Sequence, residues 1–174
     1  MPSVAIAELP PKAFLQTYKQ SQSFTDCYML QVPGHITQAA FVEAFYTSAL
    51  FKIERTLLHY LAKRPASNQD AAQLASGGAT QFSAWRVEAQ DKDQLLLADF
   101  TGRTRSWLMA EAVLGANASP YTKLYFGSAV VPRHQAGPNA PKMGFAFNAL
   151  IGFHKLYSRL LLRAAVGRMK ASTI

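Results

Sequence analysis

Cysteine and charged residues are scarce in this sequence. The single cysteine, Cys27, excludes a disulfide within the chain and a zinc site built from several cysteine ligands. Charged residues make up only 16% of the 174 residues, whereas hydrophobic residues make up 49%. This balance excludes a mainly disordered chain and provides enough apolar side chains for one sizeable core. The length fits one domain better than two.

Long uncharged apolar runs are also absent. No such stretch approaches the roughly 20 residues that are needed to span a bilayer. The most apolar segment, residues 145–166, is interrupted by Lys155, Arg159 and Arg163. Residues 1–14 lack the basic start and the apolar run of a signal peptide. We therefore expect no transmembrane segment and a cytoplasmic location.

Acidic residues are the scarcer of the two charge signs. The chain has 10 of them against 18 Lys and Arg, which gives a formal net charge of +8. A basic surface can bind nucleic acid, anionic lipid or acidic partners. The basic residues are spread over predicted helices, and neither zinc-finger spacing nor the aromatic-glycine signature of RNA-recognition sheets is present. We therefore do not expect nucleic-acid binding.

The four histidines do not form a metal motif. His35, His59, His134 and His154 are too far apart in sequence for a short metal-binding spacing such as i, i+4. No glycine-rich loop has a phosphate-binding spacing, and no nucleophile elbow is present. We expect neither a metal nor a cofactor.

The first half of the chain predicts one strand followed by helices. Residues 24–32 have strand character and end at Pro33-Gly34. Apolar residues then recur at three- and four-residue steps over residues 37–64, with Thr37 as the N-cap and a break near Thr47-Ser48. A short helix over residues 67–76 is predicted to begin with Ser67 as its cap.

The second half predicts a meander and a final helix. Strands are expected at residues 82–88, 94–100, 104–113 and 122–131, and the tight polar turns between them indicate antiparallel pairing. Helical periodicity returns over residues 145–170. Apolar residues occur on both faces of the third of these strands, which is typical of a sheet covered on one side that lines a cavity or a partner on the other. We expect an N-terminal leader (1–23), a single α+β domain (24–170) and a short tail (171–174).

Some local sequence resembles a bacterial domain family of unknown function that is associated with the START-like superfamily, which includes polyketide cyclases and pollen-allergen-type lipid carriers. The similarity runs from about Phe24 to Arg168 and is carried by residues 45–55, residues 98–103 and Phe153-His154. It implies a helix-grip fold, in which a curved antiparallel sheet wraps around a long C-terminal helix and shorter helices follow the first strand. It also implies a hydrophobic pocket between the sheet and that helix. Helix-grip domains usually have six or seven strands, whereas the pattern places five.

Candidate pocket residues are the aromatic, charged and apolar side chains of the strands and of the last helix. They are Trp85, Asp99, Arg105, Trp107, Glu111, Tyr125, Phe147, Ile151 and His154. Aromatic residues in strands more often fill a core than line a pocket. For Asp99 the simpler reading is a turn residue, and for Glu111 it is an ion pair with a basic neighbour such as Arg105. No catalytic residue can be assigned.

Three hypotheses for function remain open. The first is a domain that binds a hydrophobic small molecule or lipid in the pocket. The second is an enzyme of the cyclase or hydratase kind, in which His154, Asp99 or Glu111 converge as acid or base. The third is an interaction module, or one that binds anionic membrane surfaces through basic helix faces such as that of Lys155, Arg159 and Arg163. A homodimer is compatible with all three.

Overall fold

A computed structural model describes residues 3–21, 23–53, 56, 65–115, 119–131 and 145–171 of the chain, and side chains in the last range are described for residues 156–169. The elements in chain order are β1 (Ala5–Ile6), α1 (Gln16–Gln20), β2 (Phe24–Pro33), α2 (Gln38–Thr47), α3 (Asn68–Ala75), β3 (Gln81–Phe82), β4 (Trp85–Gln90), β5 (Gln94–Asp99), β6 (Thr104–Leu114), β7 (Pro120–Val130) and α4 (Phe145–Ala171). Residues 49–53 are also helical. The chain is an α+β protein.

The strands of the described residues form one antiparallel sheet in the order β1-β2-β7-β6-β5-β4-β3. The predicted meander is confirmed as β4 to β7. The predicted strand 82–88 is wrong in one respect, because residues 83–84 form a turn and split it into β3 and β4. Ser83 has a φ of 51° at this turn. The sheet has seven strands instead of five because β1 and β3 contain two residues each, too few for a periodic signal.

Local sequence determines where the shorter helices begin and end. Thr37 accepts a hydrogen bond from the Ala40 amide at 3.2 Å, and Ser67 forms a capping box with Asp70. The predicted break is confirmed at Ser48, whose hydroxyl donates to the Phe45 carbonyl and accepts from the Phe51 amide. A serine side chain here replaces backbone hydrogen bonds, so the helix ends. The predicted helical run beyond residue 53, apart from Thr56, lies outside the described residues.

Helices α2, α3 and α4 cover one face of the sheet. Helix α2 packs against α3, α4 and β6, and α4 also touches β2 and β7. Between α2 and the sheet lies an aromatic cluster with ring centroids 4.8 to 6.2 Å apart, formed by Phe41, Phe45, Tyr46, Phe51, Phe82 and Phe126. Burying one such side chain stabilises the fold by roughly 1.5–3 kcal/mol.

The N-terminal segment covers the opposite face of the sheet. Leu9, Ala13 and Leu15 are buried there against Trp107 and its neighbours. Gly127 permits this close approach, because a Cβ atom at this position would lie 3.0 Å from the Leu15 Cδ2 atom. The sheet is therefore covered on both faces, whereas the sequence pattern favoured one face open to a cavity or partner. Residues 5–20, which were expected to be part of a leader, contribute a strand, a short helix and this second core.

Candidate functional site

Trp107 and its neighbours hold the N-terminal segment in place on the face of the sheet that this segment covers. Trp107 is fully buried, and its Nε1 donates to the Gln94 Oε1 atom at 3.0 Å. The same Gln94 oxygen accepts from the Phe14 amide, and Gln94 Nε2 donates to the Lys12 carbonyl, each at 3.0 Å. These contacts show that Trp107 is a core residue of the sheet beneath the N-terminal segment.

Glu111 and Tyr125 lie on the same face and bond to each other. The Tyr125 hydroxyl donates to Glu111 Oε2 at 3.2 Å, and the Lys12 ammonium lies 3.6 Å from Glu111 Oε1. The basic neighbour of Glu111 is thus Lys12 and not Arg105. Burial, together with the charge of Glu111, raises the pKa of the Tyr125 hydroxyl well above its usual range.

Arg105 is bonded to several other protein groups. Its Nε lies 2.7 Å from Glu88 Oε2 and 2.8 Å from the Tyr18 hydroxyl, which also bonds to Glu88. Its guanidinium carbon lies 4.8 Å from the centroid of the Tyr18 ring, and its Nη1 donates to the Gly102 and Thr104 carbonyls. These bonds leave Arg105 a structural link between β6, β4 and the N-terminal segment.

Asp99 organises the turn between β5 and β6. Its Oδ1 accepts from the Arg103 and Thr104 amides at 2.7 and 2.9 Å, and its Oδ2 accepts from the Thr101 hydroxyl. Partial burial acts to raise the pKa of Asp99, but these hydrogen bonds outweigh burial and lower the pKa below its usual value. Asp99 is therefore ionised at neutral pH, which disfavours a role as general acid.

Asp99 and Glu111 do not converge. Asp99 bonds to Thr104 at one end of β6, and Glu111 lies seven residues further along the same strand. At about 3.3 Å per residue this separation is roughly 23 Å, far beyond direct or water-bridged proton transfer. An acid–base pair of these two residues is thus excluded.

Trp85 and Asp99 share an open cleft at the edge of the sheet. The cleft has a volume of about 440 Å³ and is lined by Gln81, Ala84, Trp85, Arg86, Asp99, Phe100, Thr101 and Gly102. The buried Trp85 Nε1 has no hydrogen-bond partner among the described residues. Asp99 was a candidate pocket residue, but its carboxylate oxygens already accept hydrogen bonds from the turn. They are therefore not free to bind a ligand in the cleft.

Phe147, Ile151 and His154 are positions of α4 whose side chains lie outside the described residues. Their expected role as pocket residues therefore stays a prediction.

A second group of polar side chains lies on the helix-covered face, and the sequence reasoning missed it. Asp26, Ser128 and Ser106 stand side by side on β2, β7 and β6, and we call these three the polar row. Asp26 Oδ1 accepts from the Ser128 hydroxyl at 2.6 Å and from the Ser128 amide at 3.1 Å. The Ser106 hydroxyl lies 3.3 Å from the hydroxyl of Tyr46 on α2. Both serines and Tyr46 are buried.

Tyr28 and Arg159 extend the polar row towards the last helix. The Arg159 guanidinium carbon lies 5.7 Å from the centroid of the Tyr28 ring. Burial raises the pKa of Tyr28 to about 12, and the charge and hydrogen bond of Asp26 add to this, while Arg159 opposes it. The buried Nε of Arg159 has no acceptor among the described residues.

The polar row with Tyr28, Tyr46 and Arg159 is suited to binding a polar group. It combines one cation, one carboxylate and four hydroxyls beside an apolar core. No cluster of three or more metal-ligating side chains occurs within the part of the chain that the structure describes. The three residues of the polar row are joined by the order of the strands and are up to 102 positions apart in sequence. The one local signal is Asp26, an acid two residues before Tyr28 and thus on the same face of the strand as the buried apolar residues.

Comparison with protein-family models, with curated proteins and with solved structures finds no match. Among the described residues, no helix has both the length and the apolar character that crossing a membrane requires.

Proposed function

We propose that this chain is a helix-grip protein that binds a small amphipathic molecule or lipid between the sheet and the C-terminal helix, next to the polar row. The element order supports the helix-grip assignment. One strand (β2) is followed by helices, then by the meander and a final helix of 27 residues, and β2 pairs with the last strand, β7. The final helix lies against both of these strands.

The contents of the helix-covered face indicate where such a ligand would bind. Beneath α2 the aromatic cluster fills the space between helix and sheet, so this region serves as core. Where Arg159 of α4 lies over the Tyr28 ring, this core borders Asp26 and Ser128, so the surroundings change from apolar to polar. An amphipathic ligand matches this change, with its apolar part against the core and its polar part against the hydroxyls.

The unpaired buried Nε of Arg159 is the observation that carries the proposal. A buried guanidinium N–H without an acceptor costs free energy, because it has lost its hydrogen bonds to water. Arg159 lies over the ring of Tyr28 but forms no ion pair with an acid among the described residues. A ligand oxygen, such as that of a carboxylate, would satisfy this donor in a charge-assisted hydrogen bond.

Native mass spectrometry of protein purified from cells without denaturant tests the proposal. We expect an adduct of a few hundred daltons, consistent with the size of ligands that protein pockets bind. The adduct should be depleted in Arg159→Gln, which removes the charge, and retained in Arg163→Gln, which makes the same change at an exposed position of the same helix. Protein free of any adduct, which also fails to bind amphipathic probes, would contradict the proposal.

A further inference from the structure

We propose that the outward face of α4 docks onto an anionic lipid surface. This inference is independent of the ligand site, because it rests on side chains that point away from the sheet.

The outward face of α4 carries exposed leucines. Leu156 and Leu160 are 57% and 41% exposed, although large apolar side chains are usually buried in a folded domain. Arg163 and Gly167 are exposed and continue the same face, since the steps of four, three and four residues return to one side of a helix. We call Leu156, Leu160, Arg163 and Gly167 the outer stripe.

The charge of α4 has a single sign. The helix contains no Asp or Glu, whereas it contains five basic residues: Lys155, Arg159, Arg163, Arg168 and Lys170. Helices on protein surfaces usually mix both signs for i, i+4 pairs. Arg163 lies on the outward face with the exposed leucines, whereas Arg159 lies over the Tyr28 ring and Arg168 donates to Thr47. An exposed basic residue beside exposed leucines on a helix without acids matches segments that lie in the interface of an anionic membrane, with leucines at the acyl boundary and basic groups at the headgroups.

Charge complementarity favours lipid over a second copy of the chain as the occupant. Two copies would bring two such basic helices together, and each chain has a net charge of +8. Like charges facing each other disfavour association. Two exposed leucines also provide much less apolar area than a stable dimer interface needs. An anionic bilayer complements both the positive charge of the chain and the exposed leucines of the outer stripe.

The mode of contact follows from the length and composition of the helix. Helix α4 is not apolar enough to cross a bilayer. It would therefore lie on the surface with the leucines inserted, and binding would weaken as salt screens the arginines.

Vesicle flotation of the full chain tests the docking. The wild-type protein should float with phosphatidylcholine vesicles that contain phosphatidylserine, should stay behind with pure phosphatidylcholine, and should be released by high salt. Each basic residue near an anionic surface contributes about fivefold, so Arg163→Glu, which changes two charges, should lower partitioning about thirtyfold. The double variant Leu156→Ser/Leu160→Ser should abolish flotation.

Two matched controls separate the outer stripe from general charge and apolarity. Leu114→Ser removes a leucine that is 78% exposed at the end of β6, and Arg86→Glu makes the same charge change at an exposed position of β4. Both should float like the wild type. None of the outer-stripe variants should change the affinity for a soluble probe in the absence of vesicles, so the docking and the proposed ligand site can fail separately.

Three results would overturn the docking. The first is wild-type protein that does not float with phosphatidylserine vesicles. The second is flotation that survives both Arg163→Glu and Leu156→Ser/Leu160→Ser. The third is a dimer in analytical ultracentrifugation that the double leucine variant dissociates, because the outer stripe would then be a self-association surface.

Discussion

Replacing Gln94 with Met should release the N-terminal segment from the sheet. Gln94 is 2% exposed and bonds at once to the Trp107 indole, the Phe14 amide and the Lys12 carbonyl. Methionine has a similar volume, so packing changes little while three polar groups lose their partner. An unsatisfied buried group costs about 1–3 kcal/mol, and some of these groups regain water, so we expect a loss of about 3 kcal/mol in the free energy of unfolding.

Urea denaturation followed by tryptophan fluorescence measures this loss. With a slope of about 2 kcal/mol/M, the midpoint should fall by about 1.5 M. Limited tryptic digestion should also cleave the variant faster after Lys12 and Lys19, because the segment that holds them is released. The exposed Gln73 of α3 provides the control Gln73→Met. If Gln94→Met unfolded and was digested like Gln73→Met, the assignment of Gln94 as the link between segment and sheet would be refuted.

Further predictions concern backbone space and titrating groups. Gly127→Ala should lower the free energy of unfolding by about 1–3 kcal/mol, because the new Cβ atom would lie 2.8 Å from the backbone oxygen of Asp26. Gly167→Ala, in open space on α4, should raise the free energy of unfolding by roughly 0.5–1 kcal/mol. Equal effects of the two substitutions in urea denaturation would contradict this. The pKa of Asp99 is lowered, so its stabilisation is present above the ordinary pKa of 3.8 and is lost as pH falls through the folded-state value. Asp99→Asn should therefore be less stable at pH 7 and lose less stability on acidification, and parallel pH profiles of the two proteins would count against this. Burial, and secondarily the charge of Asp26, raises the pKa of Cys27 to about 12, so a thiol reagent at neutral pH should react only after unfolding, and rapid reaction of the folded protein would disprove it.

The local features of the fold could be predicted from neighbouring residues. Thr37 and Ser67 cap helices because a hydroxyl lies three residues before an unpaired amide. The break at Ser48 and the meander follow from equally short-range signals. The strands β1 and β3 could not be predicted, because two residues show no alternation and their pairing depends on partners elsewhere in the chain.

The candidate site depended on long-range pairing. Asp26, Ser106 and Ser128 meet only because β7 lies between β2 and β6. Sequence reasoning instead chose the aromatic and acidic residues of the meander. Trp107 packs against the N-terminal segment and Arg105 bonds to Tyr18 within it. The sequence pattern had left this segment outside the domain. That segment covers the second face of the sheet, which the local sequence pattern did not indicate. The candidate site therefore lies on the helix-covered face.

The affinity for an anionic amphipathic probe tests the central claim most directly. Titration with anilinonaphthalene sulfonate, whose fluorescence rises in apolar surroundings, should show saturable binding to the wild-type protein. A charge-assisted hydrogen bond contributes about 1.5–3 kcal/mol, so Arg159→Gln should weaken binding about tenfold or more. Arg163→Gln should leave the dissociation constant unchanged. Equal affinities of wild-type protein and Arg159→Gln, or a loss confined to Arg163→Gln, would contradict a ligand site between the sheet and α4.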